Sequence, residues 1–160
     1  MNQTSQNGGS HDFRIDNYPI LRMARIVSAV QERIVSGVTS YPLVAPSWRV
    51  LALLADRGPM TVKMLAVAAL IERSSLSRTI MRMEDDGLLE RAANPHDGRS
   101  TLLRLSDKGQ ALFDESQPVA IAAMHAATDA LSGAELEKLF EMLDRMMASL
   151  QSASDADPPN

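Results

Sequence analysis

Apolar residues recur along most of the chain at the three- and four-residue spacing that places them on one side of a helix. The first such stretch runs from Asn17 to about Val38, and the second runs from an expected start at Ser47 to about Asp56. Thr61 is expected to cap a short third helix ending near Ala69, and Ser106 and Ser132 to cap the last two helices. The pattern predicts a mainly α protein with a small β-hairpin, in the order four helices, two strands and two helices.

The fourth helix, which opens at Ser74, has two chemically different sides. Leu76, Ile80 and Met83 share the side expected to face a core. The opposite side carries hydroxyl and charged groups together with one methionine: Ser74, Ser75, Arg78, Met81, Arg82 and Asp85. Arginine reads guanine edges in the DNA major groove, and serine contacts bases or phosphates. This side is therefore a candidate surface for insertion into a major groove.

A basic hairpin is predicted directly after this helix. Gly87 is expected to end the helix in a left-handed conformation, and a strand begins at Leu88. The turn-rich segment Ala92–Ser100 is expected to form a loop, and Thr101–Leu105 to return as the second strand. A minimal additional strand is considered near Met60. Helix, strand, basic tip and strand follow one another in the order of a winged helix.

The segment from Pro46 to Gly109 resembles the MarR family of winged-helix transcription regulators. The resemblance rests on the order and spacing of a few short pieces: Ser47–Leu54, Ser74–Arg78, Asp86–Arg91, and Asp97–Arg99 followed by Leu105–Gly109. It implies a homodimeric, sequence-specific DNA-binding regulator. The expected type is a repressor that a small ligand releases from DNA. Its DNA partner would be a double-stranded, inverted-repeat operator with half-sites about 10 bp apart.

The resemblance also implies which residues contact DNA: Arg73, Ser74, Ser75, Ser77, Arg78, Arg82, Asp97, Arg99 and Ser100. Arg78 is the first choice for base contact, while Arg73 and Arg82 are implied to lie near phosphate. At the hairpin tip, Arg99 is implied to enter the minor groove, steadied by Asp97. The alternatives are a solvated helix face on which Arg82 pairs with a neighbouring aspartate, and an ordinary Asp-Gly hairpin turn.

A small-molecule effector is implied as well, because MarR relatives often bind small aromatic acids between the dimerisation helices and the winged helix. By this resemblance Arg22 or Arg25 would pair with a ligand carboxylate, and Tyr41, Trp48 and Arg49 would line the wall. The alternative is that Trp48 belongs to the core and that these arginines are ordinary surface residues.

The expected organisation centres on the winged helix-turn-helix at 46–109. It is flanked by an N-terminal dimerisation helix and linker at 17–45 and by C-terminal dimerisation helices at 110–151, with tails at 1–16 and 152–160. The terminal helices carry apolar stripes that the small central block cannot bury alone, which favours a second copy of the chain as partner. The competing interpretation is an intramolecular helical bundle.

Composition excludes several classes of function. The chain has no cysteine, and its three histidines are not spaced as metal ligands. Signatures of hydrolases and of phosphate-binding loops are missing, so neither an enzyme nor a bound metal or cofactor is expected. The longest apolar run, Met64–Ile71, has eight residues and is too short to span a bilayer. A cytoplasmic protein with no membrane partner is expected.

The net charge of −4 is unevenly distributed along the chain. From Gly58 to Gln110 there are eight Lys and Arg residues against seven Asp and Glu, or +1, which leaves −5 for the remainder. DNA binding would therefore depend on a local patch and would weaken strongly with salt. The acidic balance also keeps open an alternative, a winged-helix protein-interaction module that does not bind DNA directly.

Overall fold

The computed structural model describes residues 14–15, 18–95, 97 and 99–156, with side chains described as far as 152. The described elements are α1 (Pro19–Gly37), α2 (Ala45–Arg57), β1 (Met60–Thr61), α3 (Val62–Ala69), α4 (Arg73–Asp85), β2 (Leu89–Ala93), β3 (Thr101–Leu105), α5 (Asp107–Thr128) and α6 (Gly133–Ala156). The predicted α+β class with a winged helix is confirmed. Most of the predicted tail at 1–16, and residues 157–160 of the other tail, lie outside the described residues.

Local capping signals placed several helix starts correctly. The Thr61 side chain accepts a hydrogen bond from the Met64 N–H at 3.2 Å, and Ser106 accepts one from the Gly109 N–H at 3.0 Å. The Ser132 hydroxyl accepts from the Glu135 N–H at 3.4 Å, and the Ser132 N–H donates to the Glu135 carboxylate at 2.8 Å, so the two residues form a capping box at the start of α6. These bonds satisfy N–H groups that have no partner within the helix.

Helix α2 starts at Ala45, before the predicted start at Ser47. Pro46 lies in its first turn, where its fixed φ suits a helix and its missing N–H costs nothing. Ser47 follows Pro46 inside the helix and is buried, so it does not cap the helix. The prediction of Ser47 as the start was wrong because proline was taken as a break rather than as a first-turn residue.

Strand β3 is the centre of a three-stranded antiparallel sheet in the order β1-β3-β2. The short strand considered near Met60 is present and pairs Met60 with Leu103. On the other side Ala92 and Ala93 pair with Leu102 and Thr101. The prediction that a loop begins at Ala92 was therefore wrong, because pairing with β3 carries the strand through Ala93.

Leu70 and Ile71 form the turn between α3 and α4. The side chain of Leu70 is 88% exposed. Its backbone is left-handed, with φ 53°, a conformation that costs about 1–2 kcal/mol in a residue with a Cβ. Ile71 does pack against the core. The turn is therefore anchored by Ile71 while Leu70 projects into solvent.

The main hydrophobic core is formed mostly by the winged helix, with additions from the segment between α1 and α2 and from α5. It consists of the following buried residues: Val38, Leu43, Val50, Leu51, Leu54, Met60, Leu65, Leu76, Ile80, Met83, Leu88, Leu89, Leu103 and Leu112. A second, smaller cluster of Ile34, Ala120 and Ala123 forms where α1 packs against α5. Gly37 allows this close approach, since a Cβ there would lie 2.4 Å from Cγ1 of Val119.

Helix α6 contributes nothing to either core, and none of its residues with described side chains is buried. Phe140, Met147 and Leu150 on its apolar side are all more than half exposed, as are Ile20 and Ile26 on α1. The helix continues to Ala156, so the tail predicted from residue 152 starts too early. Large apolar areas on the terminal helices therefore stay uncovered within one subunit. Across the described residues, no helix combines the length and the hydropathy needed to cross a membrane.

Candidate nucleic-acid interface

One side of helix α4 packs into the core, and the opposite side is exposed. Leu76, Ile80 and Met83 are buried, as predicted. The residues of the opposite side are all exposed: Ser74, Ser75, Arg78, Met81, Arg82 and Asp85. Three buried anchors over two turns fix the rotation of the helix about its axis. The arginine-bearing side of α4 therefore faces away from the protein.

Among the described residues, the guanidinium groups on this side of α4 are not paired with neighbouring carboxylates. Within the described part of the chain, neither Arg78 nor Arg82 forms a salt bridge. Asp86, considered as a partner for Arg82, instead accepts a hydrogen bond from the Tyr41 hydroxyl. Both arginines are thus available to an external anion or base edge.

The N-terminus of α4 is capped by Glu72, a residue that sequence reasoning missed. Its carboxylate accepts hydrogen bonds from the N–H of Ser74 at 2.8 Å and of Ser75 at 3.0 Å, and also from the Ser74 hydroxyl. These hydrogen bonds, of which the one from the Ser74 hydroxyl has the largest effect, lower the pKa of Glu72 to about 2. The charge of Arg78 lowers it further by a smaller amount. An acidic residue two positions before Ser74 was the available signal.

Ser77 lies at the edge of the exposed side of α4, one turn after Arg73. The Ser77 hydroxyl donates to the Arg73 carbonyl at 2.8 Å, so its proton is used within the helix and only its lone pairs face outward. The structure thus gives Ser77 less capacity to contact DNA than Ser75, whose hydroxyl has no such backbone bond among the described residues.

The hairpin tip is ordered by its own hydrogen bonds. The Asp97 carboxylate accepts from the Arg99 N–H at 3.0 Å, and the Asp97 carbonyl accepts from the Ser100 N–H at 3.0 Å. The Asn94 side chain donates to the Ser100 hydroxyl at 2.7 Å. Asp97 therefore fixes the backbone that carries Arg99, whose side chain is exposed. The neighbouring His96 and Gly98 lie outside the described residues.

Ion pairs fasten the hairpin to α4. Arg91 on β2 approaches Glu84 on α4 through two nitrogens, at 2.6 and 3.0 Å, and this contact raises the pKa of Arg91. Arg104 bridges to Glu90 across the two strands at 2.6 Å. A two-point arginine–carboxylate contact fixes orientation as well as distance. The helix and the hairpin are thereby held in one relative geometry.

A groove of about 430 Å³ separates the hairpin from the helix-turn-helix. Its lining residues come from both units: Thr61, Val62, Lys63, Arg73, Arg91, Asn94, Asp97, Ser100 and Thr101. It brings Arg73 together with Asp97 and Ser100, which the sequence placed in separate segments. It also adds Lys63, which sequence reasoning missed although it directly follows the capped start of α3. Because Arg91 is paired with Glu84, two basic groups, Lys63 and Arg73, stand against the one acidic group Asp97, a balance that suits a phosphodiester backbone.

Two residues of the implied effector set have structural partners instead. Arg49 donates to the Ala69 carbonyl at the end of α3, at 2.7 Å, and so holds the helix-turn-helix turn. The Tyr41 hydroxyl donates to Asp86 at the end of α4. Burial, which has the larger effect, and this hydrogen bond together raise the pKa of Tyr41 to about 12. Tyr41 also lines a cavity of about 290 Å³ with Lys108 and Glu115, but none of the other four implied residues lines it.

Trp48 lies between the two hydrophobic clusters and packs against both. Its indole Nε1 is buried and has no hydrogen-bond partner among the described residues. Arg22 and Arg25 are both exposed on α1. In a single subunit Trp48 is therefore partly buried against both clusters, and its indole N–H is an unsatisfied donor among the described residues.

Comparison with known proteins agrees with this geometry. A sequence model of the MarR family matches residues 42–100. The chain is 26% identical over 143 residues to the HTH-type transcriptional repressor IacR of Pseudomonas putida, covering 89% of this chain and 86% of the relative. It is 30% identical over 111 residues to the homoprotocatechuate degradative operon repressor of Escherichia coli, covering 69% and 75%.

A solved structure of a MarR family transcriptional regulator from Silicibacter pomeroyi superimposes with a TM-score of 0.72 at 25% identity, covering 84% of this chain and 90% of that one. Sequence identity, the match to the family and the shared fold agree with the exposed arginine face and the hairpin beside it. The chain belongs to the MarR family of winged-helix transcription regulators.

Proposed function

We propose that this protein is a homodimeric, cytoplasmic repressor that inserts α4 into the major groove of an inverted-repeat operator. The observation that carries the proposal is the exposed side of α4, on which Arg78 and Arg82 have no internal salt bridge within the described residues. Arg78 would read a base edge, with Ser74 and Ser75 beside it. Arg73 and Lys63 in the groove would hold backbone phosphate, and Arg99 would enter the flanking minor groove.

The uncovered apolar faces of α1, α5 and α6 support a two-fold dimer. Ile26, Met124 and Phe140 on these helices are all about half exposed, and removing such area from water yields roughly 25 cal/mol per Å². An obligate interface of about 2,000 Å² or more is expected. Two-fold symmetry then presents two copies of α4, which suits half-sites about 10 bp apart.

A small aromatic acid is the proposed effector. The Escherichia coli relative is named for an operon that degrades homoprotocatechuate, which is an aromatic acid. Among the described residues the buried Trp48 Nε1 finds no acceptor, and a carboxylate or phenolate oxygen would satisfy it. Arg22 or Arg25 would complete the carboxylate site across the dimer. Ligand binding would favour a spacing of the two α4 helices that no longer fits the operator.

Repeated selection from a random 30-bp duplex pool, followed by mobility-shift titration, tests DNA binding. The expected result is enrichment of one inverted repeat that is bound far more tightly than a scrambled duplex, with affinity falling steeply as salt rises. Failure to enrich any sequence, together with no retardation at low salt, would contradict the proposal. That outcome would favour a protein-interaction module.

Fluorescence of Trp48, the only tryptophan, tests the effector. Titration with benzoate and hydroxybenzoates should change its emission and weaken operator binding at the same ligand concentrations. Cyclohexanecarboxylate, which has the carboxylate but lacks the aromatic ring, is the matched control. Operator binding that is unaffected by every aromatic acid would contradict this part of the proposal.

A further inference from the structure

Glu72 places a negative charge at the edge of the surface that would face DNA. It lies immediately before α4 and is fully exposed. Its carboxylate is bonded to Ser74 and Ser75, two residues of the exposed α4 side. The nearby charge of Arg78 favours its ionised form. Glu72 therefore belongs to the same surface as the residues proposed to contact DNA, although its charge is opposite to theirs.

The N–H groups at the start of a helix ordinarily attract phosphate, because they point outward and lie at the positive end of the helix dipole. In this chain the donors of Ser74 and Ser75 are already bound to the Glu72 carboxylate. The Ser74 hydroxyl is bound to it as well. A phosphate approaching this end of α4 would meet a negative charge where the donors should be.

We propose that Glu72 is a specificity-determining residue, which excludes DNA phosphate from the N-terminus of α4 and so weakens binding to non-operator DNA. This inference rests on the proposed insertion of α4 into DNA. Non-specific binding depends almost entirely on phosphate contacts, and it loses most when one of them is replaced by a repulsion. Operator binding keeps its base contacts through Arg78, and at the operator a carboxylate can also accept a hydrogen bond from a cytosine amino group.

The acidic residues of this surface differ in whether an arginine neutralises them. The segment from Gly58 to Gln110 has a net charge of only +1, and Glu72 is one of its acidic residues that has no salt bridge among the described residues. Glu84 and Glu90, in contrast, are paired with arginines of the hairpin. Their charges are neutralised at close range, whereas that of Glu72 remains directed at the approaching DNA.

The test compares wild type with Glu72→Gln on two probes, the duplex enriched by selection on wild type and a scrambled duplex of the same length. Glutamine keeps an oxygen that can accept from Ser74 or Ser75 but removes the charge. Binding to the scrambled duplex should tighten about tenfold, since like charges at contact distance are costly. Binding to the selected duplex should change by less than about threefold. The slope of log K against log salt on scrambled DNA should become steeper by the amount expected for about one additional phosphate contact.

Glu72→Asp and Asp114→Asn are the controls. Aspartate retains both the charge and the capping chemistry, so its ratio of selected to scrambled affinity should equal that of wild type. Asp114 is exposed on α5 and hydrogen-bonded to Gln110, and its replacement removes one negative charge away from α4. Thermal unfolding of each variant shows whether the fold is intact.

An unchanged affinity of Glu72→Gln for scrambled DNA would overturn the inference, as would an equal gain from Asp114→Asn, because overall charge would then explain the effect. Equal losses on both probes would show that Glu72 only caps the helix. If wild type binds no duplex at all, the proposed function fails first, and that outcome is visible before any variant is compared.

Discussion

At the scale of single residues, the surface of α4 is decided by which side chains already have partners. Arg91 and Arg104 have the same side chain as Arg78, but they are committed to Glu84 and Glu90. Arg49 is committed to a backbone carbonyl. Arg78 has no such bond within the described residues, so its hydrogen-bonding capacity is available for the proposed contact with DNA. The number of arginines alone would not have distinguished these roles.

Replacing Arg78 with alanine should cost about 1–3 kcal/mol on the selected duplex and relax discrimination at one base position of each half-site. The reason is that a bidentate contact to guanine carries sequence information. Mobility-shift titration against single-base variants of the selected duplex measures it. Arg57→Ala, at the exposed end of α2 beside Asp56, removes the same charge as a control. Equal losses on selected and scrambled DNA would show that Arg78 meets only phosphate.

The low pKa of Glu72 predicts how the cap responds to acid. Its pKa in the folded protein, about 2, lies below the ordinary 4.5, so the ionised form is favoured by folding. The cap's contribution is complete above about pH 4.5 and is lost as the pH falls towards 2. Urea unfolding at several pH values should show the stability of wild type relative to Glu72→Gln constant from neutral pH down to about 5, then decreasing below it. A difference independent of pH would contradict the assignment of the cap.

At the scale of elements, three side-chain contacts fix the second half of α4, one to the hairpin and two to the start of α5. Glu84 joins α4 to β2 through Arg91, and Lys108 of α5 donates to the Asp86 carbonyl at 2.7 Å. The Ser106 hydroxyl donates to the Gly87 carbonyl at 2.6 Å. The end of α4 is therefore tied to the start of α5, so a displacement of α5 would be transmitted to α4.

This junction predicts a strong effect at Gly109, where α5 passes the backbone of Leu88. A Cβ at Gly109 would lie 2.1 Å from the Leu88 carbonyl oxygen, which is backbone and cannot rotate away. Gly109→Ala should destabilise the fold by about 1–3 kcal/mol, as measured by urea unfolding. Gly133→Ala is the matched control, since a Cβ there meets nothing within 4 Å. Similar stabilities for the two variants would mean that the junction can relax without cost.

At the scale of the whole molecule, the apolar area left on the terminal helices decides the assembly. The core of the winged helix is completed by residues from the segment before α2 and from α5, whereas α6 buries none of its residues with described side chains. An intramolecular bundle would require α6 to fold back on α1 and α5, and within the described residues it does not cover their exposed Ile26 and Met124. The arrangement supports the proposed second copy of the chain as the element that covers these faces.

Truncation after Leu131, which removes α6, should abolish the soluble dimer. The apolar faces of α1 and α5 would lose the cover proposed to come from α6 of the second copy. Sedimentation velocity over a range of concentrations measures this. Phe140→Glu places a charge on the exposed apolar side of α6 and should raise the dimer dissociation constant without deleting the helix, while Glu137→Gln on the same helix should not. A dimer of undiminished affinity, or a well-folded monomer after truncation, would contradict the proposed role of α6.

The sequence by itself determined the features that depend on neighbours along the chain. The period of the apolar residues placed the helices, and side-chain oxygens at Thr61, Ser106 and Ser132 marked where three of them begin. The buried side of α4 was also predictable, because Leu76, Ile80 and Met83 follow the helical period regardless of what they pack against. These signals are local, so they can be read without knowing the fold.

Only the tertiary structure decided what depends on contacts between distant segments. Pairing with β3 extended β2 through Ala93, and packing left Leu70 outside the core while Ile71 entered it. Arg49 was assigned to Ala69, twenty residues away, and Tyr41 to Asp86, which no local pattern indicates. An arginine or tyrosine has the same propensity wherever its partner lies, and its function depends on which groups the fold brings within hydrogen-bonding distance.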